Sequence, residues 1–149
     1  MAKGFKENKS MVNVYTEEEV DALLNGTVLY ENQGADITEI LANTTKSSII
    51  LSEDVSNYDE IEIFTVDSEG AELSSKASKK FGFKTTFVTT NRTSTKVVLK
   101  SLTISVSGTG VNLSNTYETH IMLDGTSNSH TAGKYIGIVK IVGTKKAVN

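Results

Sequence analysis

The residues with the clearest chemical potential are four carboxylates close together in the chain: Glu53, Asp54, Asp59 and Glu60. Two facing carboxyl groups are the machinery of glycoside hydrolysis, one acting as acid and the other as base or nucleophile. Here the acids flank a predicted turn and precede a strand, where acidic side chains commonly keep a surface solvated. No nucleophile elbow, phosphate-binding glycine loop or zinc-protease motif accompanies them. We therefore expect no catalytic residue and no enzyme activity.

His120 and His130 are the only histidines, and the chain has no cysteine. A protein metal site needs three or more converging ligands, which two distant histidines do not provide. A threefold assembly could bring together three copies of one histidine, but ordinary polar positions explain both residues more simply. We expect neither a metal site nor a cofactor.

A polar stretch from Gly125 to Gly133 is long for a hairpin connection and rich in hydrogen-bonding side chains. Loops at one end of a β-sandwich are common places for binding residues. Sugar recognition usually adds an aromatic ring, which the flanking tyrosines could supply. Five residues form this candidate binding set: Tyr117, Ser127, Asn128, His130 and Tyr135. A solvated loop without a ligand is the simpler interpretation of this stretch, and a host cell-surface glycan is the candidate partner if these residues bind one.

Length and composition limit the other possibilities. The 149 residues suit one domain with a short appendage, and 35 of them are Ser or Thr, which favours strands and loops over helices. The net charge of -3 and the absence of a basic stripe argue against nucleic-acid binding. No apolar run approaches the roughly 20 residues that span a bilayer, and residues 1–10 lack the apolar core of a signal peptide. We expect no membrane insertion.

The sequence predicts a short helix near the N-terminus, behind a flexible arm over residues 1–13. Thr16 can cap the helix while Glu19 reaches back to it, and Asn25-Gly26 ends it. Three apolar residues share one face at helical spacing: Val20, Leu23 and Leu24. Two turns are too few for an isolated helix, so this face should dock on the domain, on another subunit or on a larger neighbour.

After Gly26 the period changes from helical to alternating, which predicts about eight short strands. Their expected bounds are 27–31, 37–41, 48–52, 60–66, 79–90, 95–107, 115–124 and 134–143. The predicted fold is all-β, an antiparallel β-sandwich or barrel with a short N-terminal helix. We divide the chain into an N-terminal arm and docking helix, residues 1–26, and a sandwich domain, residues 27–149.

The last predicted strand is apolar on both faces, unlike a strand at a solvent-exposed edge. Ile136 and Ile138 lie on one face, and Val139 and Ile141 lie on the other. Such a strand is either central in a sandwich or buried at a subunit contact. Ile136 and Ile138 are therefore candidate oligomer contacts.

Three stretches resemble the C-terminal domains of bacteriophage tail-fibre and baseplate proteins. They are Leu51-Ser52-Glu53-Asp54-Val55-Ser56-Asn57-Tyr58-Asp59-Glu60-Ile61-Glu62-Ile63, the closing Tyr135-Ile136-Gly137-Ile138-Val139-Lys140-Ile141-Val142-Gly143, and the helix Val14-Tyr15-Thr16-Glu17-Glu18-Glu19-Val20-Asp21-Ala22-Leu23-Leu24. The resemblance implies a virion structural protein, commonly trimeric, that ends in a β-sandwich used for attachment. This chain lacks a long fibre shaft, so the expected role includes decorating a capsid or a baseplate instead of forming a full fibre.

The resulting expectation is a non-enzymatic phage structural protein, made in the host cytoplasm and located in the virion. Its partners would be itself, as a homotrimer, other virion proteins and a host glycan. The alternative is a carbohydrate-binding or adhesin module of bacterial origin, which would keep the sandwich without a particle-docking segment.

Overall fold

The computed structural model describes the backbone of residues 3–7 and 10–145, and the side chains of residues 14–21 and 25–145. These residues form ten strands and two α-helices: β1 Lys3–Glu7, β2 Ser10–Val14, α1 Glu17–Asn25, β3 Thr27–Glu31, α2 Ile37–Asn43, β4 Glu60–Asp67, β5 Glu72–Ser78, β6 Lys84–Arg92, β7 Lys96–Ser107, β8 Gly110–Met122, β9 Ser129–Ala132 and β10 Ile136–Thr144. Single 3-10 turns span Val55–Asn57 and Lys79–Phe81.

Two antiparallel four-stranded sheets make up the sandwich, in the strand orders β3-β10-β4-β5 and β6-β7-β8-β9. The chain passes from the first sheet to the second between β5 and β6, where the Ser75 and Thr85 hydroxyls lie 2.8 Å apart. The prediction of an all-β antiparallel sandwich with a short N-terminal helix is confirmed.

The core lies between the two sheets because alternate residues of each strand point inward. Ile61 and Ile63 on β4 face Leu102 and Ile104 on β7, and all four are at most 1% exposed. Burying each such side chain contributes roughly 1.5–3 kcal/mol relative to leaving it in water. The alternating pattern that predicts strands over residues 60–66 and 95–107 therefore marks this shared core.

Strand β10 is central in its sheet, between β3 and β4. Ile136 and Ile138 belong to the chain's own core, at 3% and 0% exposure. On the opposite face Ile40 of α2 covers Gly137 so closely that a Cβ there would lie 2.8 Å from the Ile40 side chain. The placement of Ile136 and Ile138 at an oligomer contact is thus corrected, because both side chains are already packed inside one chain.

Gly143 on β10 allows the Tyr58 ring to lie directly against the backbone. A Cβ at this position would be 2.7 Å from the ring and 2.9 Å from Leu29. Gly143→Ala should lower the free energy of unfolding by about 1–3 kcal/mol, because both neighbours are buried and cannot move aside freely. Chemical denaturation measures this loss. Gly82→Ala is the matched control for inserting a methyl group, since nothing lies within 4 Å of that position and only its positive φ opposes the change.

Helix α1 begins as the sequence predicts. The Thr16 amide donates to Glu19 Oε2 at 2.9 Å, and the Glu19 amide donates to Thr16 Oγ1 at 3.2 Å, which is a reciprocal capping box. The bond from the Thr16 amide lowers the pKa of the Glu19 carboxyl. Val20 is 41% exposed, while the side chains of Leu23 and Leu24 lie outside the described residues.

The N-terminal segment differs from the predicted flexible arm. Strands β1 and β2 pair in antiparallel register, from Lys3 opposite Val14 to Glu7 opposite Ser10. Their backbone donors and acceptors thus bond to each other, which gives this segment a structure of its own.

Two of the eight predicted strands are wrong. Residues 37–41 belong to helix α2, whose Asp36 cap accepts from the Glu39 amide at 2.9 Å. Residues 48–52 form no regular strand: Ile49 and Leu51 are buried, whereas Ile50 is 69% exposed and makes one isolated bridge to Gly110. An irregular segment that crosses the sandwich edge therefore produces the apolar run.

Candidate interaction surface

The outer face of the second sheet brings together side chains from β6, β7, β8 and β9. Residues directly opposite each other in an antiparallel sheet project to the same side. Two complete rows cross all four strands and a third crosses three: Val88, Ser101, Tyr117 and Ala132; Thr90, Leu99, Thr119 and His130; Arg92, Val97 and Ile121. Val88 is 50% exposed and its neighbour Phe87 is 3% exposed, so these rows face away from the core.

This face, which we call the row surface, combines apolar and hydroxyl side chains and is almost free of charge. Its large apolar members are Val88, Val97, Leu99, Tyr117 and Ile121, all at least partly exposed. Arg92, at the corner, is the one residue of the three rows with a permanent charge. An uncharged centre with apolar and aromatic side chains is the composition of a subunit-contact core.

Tyr117 and His130 meet on this surface. Their rings are stacked with centroids 4.1 Å apart and planes at 26°. The Thr119 hydroxyl lies 2.7 Å from His130 Nδ1 and fixes the imidazole orientation. The pairing follows from the register, in which Thr119 is opposite His130. Two of the five candidate binding residues are therefore adjacent and partly accessible.

Strand β9 ends the second sheet, and its four residues are all exposed. It pairs with β8 on one side, and no further strand among the described residues pairs with its other side. A free strand edge beside an apolar face presents backbone donors and acceptors to an incoming chain. The polar stretch predicted as a loop thus contains an edge strand.

The other three candidate binding residues have different positions. Asn128 Oδ1 accepts from the Met122 amide at 2.9 Å, so this side chain closes the turn between β8 and β9. Ser127 is exposed in the same turn. Tyr135 packs against Gly133, where a Cβ would lie 2.8 Å from the ring. No ring contact joins Tyr135 to Tyr117 or His130 in the described part of the chain.

Polar residues lie beneath the row surface, between the sheets. Lys100 is 3% exposed, with its Nζ 3.9 Å from the Asp67 carboxylate and 3.5 Å from that of Glu69. Burial raises the pKa of Asp67, but hydrogen bonds from the Ala71 and Glu69 amides, together with the Lys100 charge, lower it below its ordinary value. Asp67 therefore remains ionised and compensates a buried lysine, a residue type rarely buried without a partner.

His120 lies on the inner side of β8, between Lys96 and Glu118. Its Nδ1 is 3.1 Å from Lys96 Nζ, and its Nε2 is 2.7 Å from Glu118 Oε1. No group of three or more His, Asp or Glu residues within the described ranges could hold a metal ion. His120 therefore belongs to a local polar network with Lys96 and Glu118.

The four acids at residues 53–60 have structural contacts. Tyr58 donates its hydroxyl proton to Glu53 at 2.7 Å, and Asp54 caps the 3-10 turn through the Ser56 amide at 2.8 Å. The bonds from Ser56 lower the pKa of Asp54. Glu60 forms a surface ion pair with Lys76 at 3.7 Å. Glu53, Asp54 and Glu60 thus each have a contact within the fold.

Comparison with protein-family models, with curated proteins and with solved structures found no match to this chain. Among the described residues, no helix has the length and apolar character needed to cross a membrane.

Proposed function

We propose that the chain is a non-enzymatic structural protein of a bacteriophage particle that assembles as a homotrimer. Support for self-association comes from the row surface, where Val88 and Ile121 are exposed, Leu99 is partly exposed, and Arg92 alone carries a permanent charge. Large exposed apolar patches on a protein of this size commonly mark contacts with another chain. The occupant we assign to the surface is a second copy of this chain, and the threefold count follows from the resemblance to fibre and baseplate domains.

The N-terminal hairpin and α1 supply a second contact element for other virion proteins. Gly26, directly after α1, lies so close to β10 that a Cβ would be 2.7 Å from Val142. The helix is thereby held to the first sheet at its C-terminal end, while Val14, Tyr15 and Val20 are 41–47% exposed. A tethered element with accessible apolar side chains suits docking on a larger neighbour.

Labelling of purified particles tests the virion role. An antibody against the isolated chain should label particles purified from a culture that carries its coding sequence, and peptides of the chain should co-purify with them. Cells that express the chain without particle assembly are the control for contamination. Absence of the chain from washed particles would contradict the proposal.

A carbohydrate-binding or adhesin module is the second candidate, favoured by the stacked Tyr117–His130 pair at an exposed sheet edge. Deleting residues 1–26 separates the two functions. Loss of incorporation into particles with the sandwich still folded supports the structural role, whereas unaltered glycan binding by a chain that never enters particles supports the adhesin.

A further inference from the structure

The same outer face carries a groove of about 610 Å³ at the opposite end from the row surface. Its floor is the end of the β7–β8 hairpin, where Ser105 lies opposite Asn112 and Ser107 lies opposite Gly110. Short side chains and a glycine keep this floor low. Ser105, Ser107 and Asn112 have no side-chain hydrogen bond to another described residue, so their donors and acceptors are available to a ligand.

The walls come from two separate segments. Lys46 lines one side, and the Ile50–Gly110 bridge holds its segment beside the hairpin. Gly82 lines the other side, directly after Phe81. Phe81 is 77% exposed and Ile50 is 69% exposed, the two highest values among the large hydrophobic residues that the structure describes. The groove therefore has a hydrogen-bonding floor, and the accessible ring of Phe81, with Lys80 Nζ 5.4 Å from its centroid, belongs to the residue next to the Gly82 wall.

The charge of the groove is opposite to that of the whole chain. Lys46 lines it, and Lys84 lies opposite Ser105 on β6 with its side chain on the same face. No acidic residue lines the groove, although the chain carries a net charge of -3. Both lysines are exposed and have no ion pair within the described residues. A local positive field in a concave site favours an anionic ligand.

We infer that this groove binds an acidic saccharide, with sugar rings that carry carboxylate or phosphate groups. Phe81 would offer its ring to the apolar face of a sugar, Ser105, Ser107 and Asn112 would bond to hydroxyls, and Lys46 and Lys84 would hold the negative charge. The site lies outside the loop of residues 125–133 where the sequence places glycan binding. It goes beyond the structural role and does not depend on assembly.

An NMR titration of the isolated 149-residue chain tests the inference. Hexagalacturonate should shift the backbone amides of Gly82, Ser105, Ser107 and Gly110, and maltohexaose, which is neutral, should shift them far less. The double variant Lys46→Gln/Lys84→Gln should bind about fivefold more weakly, as expected for two exposed charge contacts. Phe81→Leu, which keeps an apolar side chain but removes the ring, should also weaken binding about fivefold.

Lys76→Gln on the other sheet is the matched charge control and should leave the affinity unchanged. Equal weakening by that variant, or no shift of the groove amides at about 10 mM hexagalacturonate, where even weak saccharide binding is visible, would overturn the inference. Linear polyphosphate or hexathymidylate binding as tightly would also overturn it, because charge alone or a nucleic acid would then explain the groove. Because the isolated chain is used, these outcomes leave the virion proposal untouched.

Discussion

Replacing Asp67 by alanine is expected to lower the free energy of unfolding by about 3 kcal/mol, which is the lower end of the cost of breaking a buried ion pair. The variant leaves Lys100, at 3% exposure, without its buried partner. Glu69 remains 3.5 Å from Lys100 Nζ and is more than half exposed, which limits the loss. Chemical denaturation followed by circular dichroism measures the change.

The double variant Asp67→Asn/Lys100→Met is the control for this prediction. It removes both charges while keeping similar side-chain shapes, so its stability should lie within about 1 kcal/mol of the unaltered protein or above it. A double variant as unstable as Asp67→Ala would show that packing, and not the uncompensated lysine, causes the loss.

The same ion pair predicts a pH dependence. Because folding lowers the pKa of Asp67, its stabilising contribution is present above the unfolded pKa, about 3.9, and is lost as the pH falls through the folded value. Stability should therefore drop below about pH 4 in the unaltered protein and drop less in the double variant. Parallel acid titrations of both proteins would contradict the assignment.

Leu99→Glu is expected to convert the assembled protein to single chains. Leu99 lies at the centre of the row surface, between Thr90 and Thr119, and a carboxylate there would be desolvated in every subunit contact. Loss of a central apolar contact residue costs about 2 kcal/mol or more, which corresponds to at least a roughly 30-fold weaker association. Sedimentation velocity at several concentrations measures it.

Val28→Glu is the matched control, since Val28 is also apolar and 47% exposed but lies on β3 in the first sheet. Its assembly should equal that of the unaltered chain. If Leu99→Glu leaves the oligomer intact while Val28→Glu dissociates it, the contact lies on the first sheet and the assignment of the row surface is wrong.

The sandwich could be predicted because its core strands alternate cleanly, as Ile61 and Ile63 do on β4. The sequence pattern does not identify strand β5, because Ser75 interrupts its inward row between Leu73 and Ala77. The Thr85 hydroxyl bonds to the partly buried Ser75, a partner that only the folded chain reveals. Alternation identifies strands whose inner rows are apolar and overlooks those whose inner rows are partly polar.

Helix α2 has N-terminal capping residues in its sequence, although its apolar spacing also fits a strand. Asp36 caps the helix by accepting from the Glu39 amide at 2.9 Å, and Glu39 Oε2 accepts from the Ala35 amide, one residue before the cap, at 2.7 Å. The same spacing correctly located α1 at Thr16 and Glu19. Capping residues would therefore have distinguished a helix from a strand over residues 37–43.

The candidate site was only partly predictable. Residue type and nearness in the chain indicate Tyr117 and His130 as binding residues, but the β8–β9 register that stacks them depends on tertiary pairing. Leu99 and Val88 are ordinary strand residues in the sequence, and their exposure follows from which face of β6 and β7 covers the core. The last strand is apolar on both faces because it is central in the first sheet. The sequence pattern alone does not distinguish this position from a subunit contact.

The solution mass of the purified chain by light scattering, over a wide range of concentrations, decides whether the row surface is a subunit contact. We predict a stable mass near three times 16.1 kDa. A mass of two chains would contradict the threefold assembly. A mass of one chain at every concentration would contradict self-association altogether.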